Sequence, residues 1–311
     1  MSKMKNQQAK ILVTGALQAD SDGIQALERL GLQMHFHQNE NEDVADPSHY
    51  EIIICNALFQ YQPVEHFTNL KLVQLTSAGY DRVPLDYIQS HGIHLFNAQG
   101  VYSAPMAEFV LCGVLQLYKQ SRFFEKNQRS HHWEKHRGLL ELTNKKVCIV
   151  GAGSVGVELA KRFSAFGADV TGIDLYPKET QYFDAVLGLA RLDELLRTSD
   201  IIVLTLPLSD ATRHLFNEAR LSRIKPGAIL VNIARGAVVE EAALIESLRS
   251  DKLSGAVLDV FEQEPLPMDS PLWDMDNVII SPHNSFVSDI THLRLMDLIV
   301  QNIGDYVSRE G

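Results

Sequence analysis

Residues 147–150 (VCIV) form an apolar run that leads straight into Gly151-Ala152-Gly153-Ser154-Val155-Gly156, and an amphipathic segment follows. Glycines at this spacing carry little weight alone, but between a strand and a helix they constrain the fold strongly. Gly151 permits the tight turn, Gly153 lets the backbone approach a pyrophosphate, and Gly156 lets the helix pack closely on the strand. The first helical residues, Ser154 and Val155, then turn unpaired N–H groups toward the phosphates. Asp174 ends the next apolar run, 174 − 151 = 23 residues on, where an acidic side chain meets an adenosine ribose. Its carboxylate accepts from both ribose hydroxyls and repels a 2′-phosphate. Leu175, Tyr176 and Pro177 bring no cation before Lys178, so NAD is expected rather than NADP. The alternative is a glycine-rich turn with no ligand; the strand, the helix and Asp174 together weigh against it.

The same alternation runs through nearly the whole chain. Residues 11–13, 33–37, 51–55, 71–76 and 94–97 read as strands, with helical spacing at 22–30. A second series reads as strands at 147–150, 169–173, 201–206, 228–233, 256–260 and 278–281, with helices at 159–166, 192–198 and 240–248. Apolar runs separated by helices indicate parallel sheets covered on both faces. The expected class is therefore α/β, with two doubly wound parallel-sheet domains. Residues 105–126 read as one long helix joining the two series. Residues 288–307 form a last helix, with Ile290, Leu293, Met296, Ile299, Ile303 and Tyr306 or Val307 at three- or four-residue steps. Periodicity does not say which sheet covers that stripe.

A chain of 311 residues is long for one core and comfortable for two domains. The net charge of -11 disfavours a nucleic-acid partner, which needs clustered Lys and Arg. No segment approaches the roughly 20 apolar residues of a membrane span. Residues 1–10 are polar and lack the apolar run of a signal peptide. Cys55, Cys112 and Cys148 sit singly among apolar neighbours, which suits reduced core thiols and a cytoplasmic setting.

Three further segments carry chemistry. Asn232-Ile233-Ala234-Arg235-Gly236 closes a buried run with a cation, residues 259–265 (DVFEQEP) supply carboxylates, and Ser281-Pro282-His283-Asn284 supplies an imidazole. All three follow strand C-termini of one sheet, where open α/β sheets bind ligands. An Arg polarises carboxylate and carbonyl oxygens, a His transfers the hydroxyl proton, and a carboxylate orients that His. That set suits carbonyl reduction beside a nicotinamide.

These strings, with 207–215 (PLSDATRHL), 232–240 (NIARGAVVE), 258–267 (LDVFEQEPLP) and 75–81 (LTSAGYD), resemble the D-isomer-specific 2-hydroxyacid dehydrogenases over nearly the whole chain and in that family's order. The resemblance implies an NAD-dependent oxidoreductase moving a hydride to or from the alpha carbon of a small 2-hydroxy or 2-oxo acid. It places the catalytic Arg on Arg235, the Glu on Glu264 and the His on His283. It places the cofactor against Gly151, Gly153, Ser154, Val155, Gly156, Asp174, Leu206, Pro207, Thr212, Ile233, Ala234, Arg235, Asp259 and His283. It has the amides of Ser77, Ala78 and Gly79 hold the substrate carboxylate together with Arg235. It implies a Rossmann cofactor domain, residues 100–285, inserted into a flavodoxin-like substrate domain, residues 1–99 and 286–311, and a homodimer formed largely through the cofactor domains.

Substrate choice is expected to rest on residues 55–61, Cys55 to Tyr61, where Leu58, Phe59 and Tyr61 occur and no cation does. Phosphoglycerate dehydrogenases, the alternative reading, carry an Arg there. Small unphosphorylated acids such as glyoxylate or hydroxypyruvate are therefore favoured. The family usually follows its His with small or aliphatic residues; Asn284, Ser285 and Phe286 follow here, and Asn284 suits either a ligand contact or a cap of the last helix. His131, His132 and His136 flank Trp133, with His132 and His136 able to share a helical face; without further ligands they read as a solvated segment, and no metal is expected. Glu240 and Glu241 suit the first turn of a helix. A nucleotide-sensing regulatory protein on the same fold, like the C-terminal-binding-protein corepressors, is the competing class; Arg235, Glu264 and His283 together favour the enzyme.

Overall fold

A computed structural model describes residues 9–17 and 21–310, so the polar start read at residues 1–10 lies outside it except for its last two residues. The chain divides into two compact units, one running to Tyr102 and resuming at Ser288, the other spanning Ser103–Val287.

The first unit is built on five parallel strands: β1 (Lys10–Thr14), β2 (Gln33–His37), β3 (Ile52–Cys55), β4 (Leu72–Leu75) and β5 (His94–Phe96). Their order is β2-β1-β3-β4-β5, so the direction of winding reverses between β1 and β3. β3 and β4 are buried throughout, which explains why IIIC and LVQL read as continuous runs rather than alternations. The edge strand β2 is partly exposed. The last helix, Thr291–Glu310, covers this sheet, burying Leu295, Met296, Ile299, Ile303 and Tyr306 with Ile11, Val13, Ile52 and Leu72. Fully burying Ile299 and Ile303 contributes about 1.5–3 kcal/mol each. The helix begins later than expected. Ile290 precedes it and Leu293 lies on its outer side, 42% and 46% exposed, so the buried stripe starts at Leu295.

The second unit carries β6 (Lys146–Val150), β7 (Asp169–Asp174), β8 (Ala185–Gly188), β9 (Ile201–Leu204), β10 (Ala228–Asn232), β11 (Leu253–Leu258) and β12 (Val278–Ile280). All are parallel, in the order β12-β11-β10-β9-β6-β7-β8. One apolar cluster gathers Phe216, Leu221, Leu230 and Leu258; another gathers Val110, Val114, Phe163 and Val231. The edge strand β8 has no counterpart in the sequence reading. The strand expected at 256–260 starts earlier and ends at Leu258, leaving Asp259 in the following loop.

Three other expectations are corrected. Residues 105–126 form two helices, Ser103–Tyr118 and Ser121–Arg129, broken at Gln120, whose φ of 52° is left-handed. The first packs on the sheet so closely that a Cβ at Gly113 would stand 2.6 Å from Val257 Cγ1; the second buries no residue. His132 and His136 lie in an irregular segment rather than on a helix, His132 exposed and His136 half-buried. Cys112 is exposed, whereas Cys55 and Cys148 are core thiols; burial pushes Cys148 up to about 12. Among the described residues no helix is long and apolar enough to cross a membrane.

Candidate active site

Because every strand of the second sheet runs the same way, the segments following β6, β7, β9, β10, β11 and β12 all emerge at one edge. After β6, Gly151 adopts φ +112°, and a Cβ there would stand 2.5 Å from Thr205 Oγ1 and 2.9 Å from the Leu206 amide nitrogen. Gly156 approaches the same turn: its Cβ would meet the Gly151 carbonyl oxygen at 2.2 Å. At Gly153 nothing lies within 4 Å of an added Cβ, so the loop is open on that side. The helix Ser154–Ala165 begins there, and its first amides lack helical acceptors. This cradle fits a dinucleotide pyrophosphate. Asp174, at the end of β7, accepts from the amides of Ala152 at 2.9 Å and Tyr176 at 3.0 Å, which fixes its carboxylate beside the glycine turn.

After β9, Leu206 is half-buried and Pro207 exposed. Thr212 is buried, and its hydroxyl is committed to its own loop, donating to the Pro207 carbonyl at 2.8 Å and accepting from the Ser209 amide at 2.7 Å. After β10, the Asn232 side chain ties the turn by donating to the Arg235 carbonyl and accepting from the Ala234 amide. Ile233 and Ala234 are buried, and Arg235 is half-buried, its Nη1 donating to the Ala234 carbonyl at 2.7 Å. The next residue touches the β11 loop: a Cβ on Gly236 would lie 1.8 Å from the Phe261 carbonyl carbon. The Arg235 turn and the 261–264 segment are thus in backbone contact.

That segment meets the β12 loop through the pair expected from the sequence. His283 Nδ1 lies 2.8 Å from Glu264 Oε2, with the two side chains 34% and 37% exposed. An ionised carboxylate only accepts, so Nδ1 carries the proton in this contact and Nε2 is left for chemistry. The other Glu264 oxygen accepts from the Phe261 amide at 3.1 Å. His283 sits at φ 51°, a left-handed backbone held by its amide's bond to the Asp259 carbonyl at 2.8 Å. Asp259 itself is 1% exposed, and its carboxylate accepts from the amides of Asn284 and Ser285 and from Ser285 Oγ at 2.5 Å. Asp259 and Ser285 therefore fix the turn that carries His283. Asn284 lies seven residues before the final helix, so it does not cap it.

Two supports were not legible in the sequence. His214 Nε2 lies 2.6 Å from Glu262 Oε1, and Glu241 accepts from the Glu262 amide at 3.2 Å. Burial, reinforced by Glu262, raises the Glu241 pKa against the bond from that amide, which lowers it. Glu241 opens the helix Glu241–Arg249 with Glu240 at its cap, as expected. Only the pairing of residues far apart in sequence reveals that these groups hold the Glu264 loop.

In the first unit, the Ser77 and Ala78 carbonyls accept from the Ala98 amide and Asn97 Nδ2, and the Gly79 carbonyl accepts from Ser77 Oγ. The amides of these three residues meet no acceptor among the described residues, which suits an anion. The 55–61 segment differs from expectation. Leu58 is fully buried and Phe59 packs edge-on against Phe67, so neither is an open surface; Tyr61 is 58% exposed. Among the described residues no group of His, Cys, Asp or Glu is arranged to hold a metal ion.

A profile of the D-isomer specific 2-hydroxyacid dehydrogenase NAD binding domain matches residues 111–285. The chain is 34% identical over 241 residues to a glyoxylate reductase of Thermofilum pendens, covering 76% of this chain and 71% of that one. It is 27% identical over 297 residues to a D-3-phosphoglycerate dehydrogenase of Archaeoglobus fulgidus, covering 94% of this chain but 56% of that protein, about half its length. A crystal structure of a D-isomer specific 2-hydroxyacid dehydrogenase family protein from Aeromonas salmonicida subsp. salmonicida superposes with a TM-score of 0.81 at 31% identity, covering 97% of this chain and 96% of that one. The glycine cradle, the paired His and Glu at the strand ends and these matches agree: the chain belongs to the D-isomer specific 2-hydroxyacid dehydrogenases, NAD-dependent oxidoreductases acting on the hydroxyl group of 2-hydroxy acids.

Proposed function

We propose that this chain interconverts small, unphosphorylated 2-oxo acids of the glyoxylate or hydroxypyruvate kind with their D-2-hydroxy acids, with Arg235, Glu264 and His283 as the catalytic set. The observation that carries the catalytic part is the 2.8 Å His283–Glu264 contact, on a loop in backbone contact with the Arg235 turn. Gly151, Gly153, Ser154, Val155, Gly156 and Asp174 would hold NAD(H), which when bound would supply the hydride in its reduced form and take it in its oxidised form. Leu206, Pro207, Ile233 and Ala234 belong to the same edge, while Thr212 and Asp259 shape their loops from inside. Arg235 binds the carboxylate and polarises the carbonyl oxygen. His283 Nε2 gives the proton to that oxygen in reduction and takes it in oxidation, while Glu264 stabilises the imidazolium and fixes the ring. The amides of Ser77, Ala78 and Gly79 are the second proposed grip on the carboxylate. On this reading Ser103–Val287 is the cofactor domain and the other unit the substrate domain.

The substrate class rests on residues 55–61, which bring no Lys or Arg. A phosphate left without charged donors loses several kcal/mol, or more than about a hundredfold in kcat/KM. The likeness to glyoxylate reductase supports this reading; the likeness to phosphoglycerate dehydrogenase supports the alternative. Kinetics with hydroxypyruvate and phosphohydroxypyruvate in parallel decide between them, and a clear preference for the phosphorylated acid overturns the proposal. We assign the active form as a cytoplasmic homodimer joined through the second unit, in keeping with the exposed segment that carries Trp133, 95% exposed.

A further inference from the structure

In an open parallel sheet the ligand crevice opens where the winding reverses, outside the carboxyl ends of the strands. In the first unit that place lies between β1 and β3, and a side chain from elsewhere in the chain fills it. Glu40 Oε1 accepts from Thr14 Oγ1, at the end of β1, and from the Asn56 amide, just past β3, both at 2.7 Å. Glu40 Oε2 accepts from the Ala57 amide at 2.7 Å. Both oxygens accept, which is the bonding of an ionised carboxylate.

The placement is rigid. The Gly15 amide donates to the His37 carbonyl, and a Cβ on Gly15 would stand 2.2 Å from the Gln38 carbonyl oxygen, so the segment leading to Glu40 presses on the end of β1. Gln62 pins the other side, donating to the Glu42 carbonyl at 2.6 Å and accepting from the Val44 amide at 3.1 Å. Among the described residues no Lys or Arg pairs with Glu40. Its charge reaches the loop: the Cys55 thiol is pushed up by burial and then by Glu40.

β3 and β4 are neighbours, with Cys55 opposite Leu75 at their ends. Two sets of amides therefore follow adjacent strands. Those of Asn56 and Ala57 are filled by an internal anion, and those of Ser77, Ala78 and Gly79 meet no acceptor among the described residues. We infer that Glu40 is a specificity-determining residue, which takes the amides at the end of β3 and restricts the site to substrates with one anionic group and an uncharged side chain. This rests on the proposed function, since it presumes that the 55–61 segment faces the substrate's side chain.

The test compares 2-oxobutyrate with oxaloacetate, acids of equal chain length that differ by one carboxylate, using NADH and the full-length protein. The wild type is expected to favour 2-oxobutyrate in kcat/KM by about tenfold or more, the scale of a partly screened repulsion between like charges. Glu40→Gln, near-isosteric but neutral, is expected to narrow that ratio at least about fivefold, mainly through the KM for oxaloacetate. Thr14→Val removes a donor and keeps the charge; it is expected to leave the ratio unchanged, whereas a purely structural role for Glu40 would move both substrates alike in both variants. An unchanged ratio in Glu40→Gln, or a wild type that takes oxaloacetate as well as 2-oxobutyrate, overturns this inference and leaves the proposed function standing. The wild-type comparison can do so even if the variant does not fold. A preference for phosphohydroxypyruvate over hydroxypyruvate, or turnover of no 2-oxo acid, overturns the proposed function itself.

Discussion

Gly236→Ala tests whether the contact between the Arg235 turn and the Glu264 loop sets the catalytic geometry. The added Cβ would lie 1.8 Å from the Phe261 carbonyl carbon, 2.0 Å from its oxygen and 2.3 Å from the Glu262 nitrogen. Ordinary contact begins at 3.4 Å, and all three neighbours are backbone, so the two segments must part by about 3.4 − 1.8 = 1.6 Å. The Phe261 amide donates to Glu264, and Glu264 accepts from His283, so the displacement passes to the imidazole through two hydrogen bonds. A misplacement of about 1 Å lowers turnover on the order of a hundredfold. Overpacking of this kind destabilises by about 1–3 kcal/mol, lowering Tm by roughly 2–4 °C per kcal/mol in a unit of this size. The β6 glycine turn is untouched, so NADH affinity is expected to stay within about tenfold. The assays are kcat with a 2-oxo acid, NADH titration by fluorescence, and a thermal melt. Gly304→Ala is the control. Its Cβ would meet only Leu30 Cδ2, at 3.6 Å, within the helix Thr291–Glu310, so it is expected to stabilise by about 0.5–1 kcal/mol with kcat unchanged. A Gly236→Ala protein that folds and keeps kcat within about fivefold of wild type refutes the reasoning.

His283→Ala is expected to lower kcat by about 10²–10⁴-fold while NADH binding stays nearly intact, and a loss below about tenfold would remove it as the proton-transfer group. For Asp174, wild-type kcat/KM is expected to favour NADH strongly over NADPH. Asp174→Ala should narrow that gap mainly by weakening NADH, by about 10–100-fold, because it removes a ribose acceptor and the partner of the Ala152 and Tyr176 amides without adding a cation for phosphate. Equal use of both cofactors by the wild type would sink the role given to Asp174.

What could be read in the sequence and what could not divides along one physical line. Interior strands were legible because burial on both faces leaves uninterrupted apolar runs such as IIVL in β9 and IIIC in β3. The four-residue edge strand β8 buries little, and its AVLG continues into Leu189-Ala190, so nothing in the sequence marks it off from the helical turn that follows. The break at Gln120 carries neither Gly nor Pro; a polar residue in the left-handed region ends one helix where sheet contact ends. The onset of the last helix was misplaced because an apolar residue continues the period whether or not a surface awaits it, as the exposed Ile290 does ahead of the helix. At the proposed site, Arg235 and His283 stand out because a cation and an imidazole follow strand ends, whereas only the family resemblance singles out Glu264 among the carboxylates of residues 259–265. The groups that fix them could not. Asp259 reaches 26 residues to the Ser285 amide, His214 reaches 48 to Glu262, and Glu40 reaches 16 to the Asn56 amide. Two of these contacts end on backbone amides, and every residue has an amide except Pro, so nothing in residue type marks the partner. A site of this kind therefore announces its reagents in sequence and hides its supports. Ser285 shows how such a support works: its hydroxyl adds a donor to the Asp259 carboxylate that holds the His283 turn, a contact that its residue type alone does not announce.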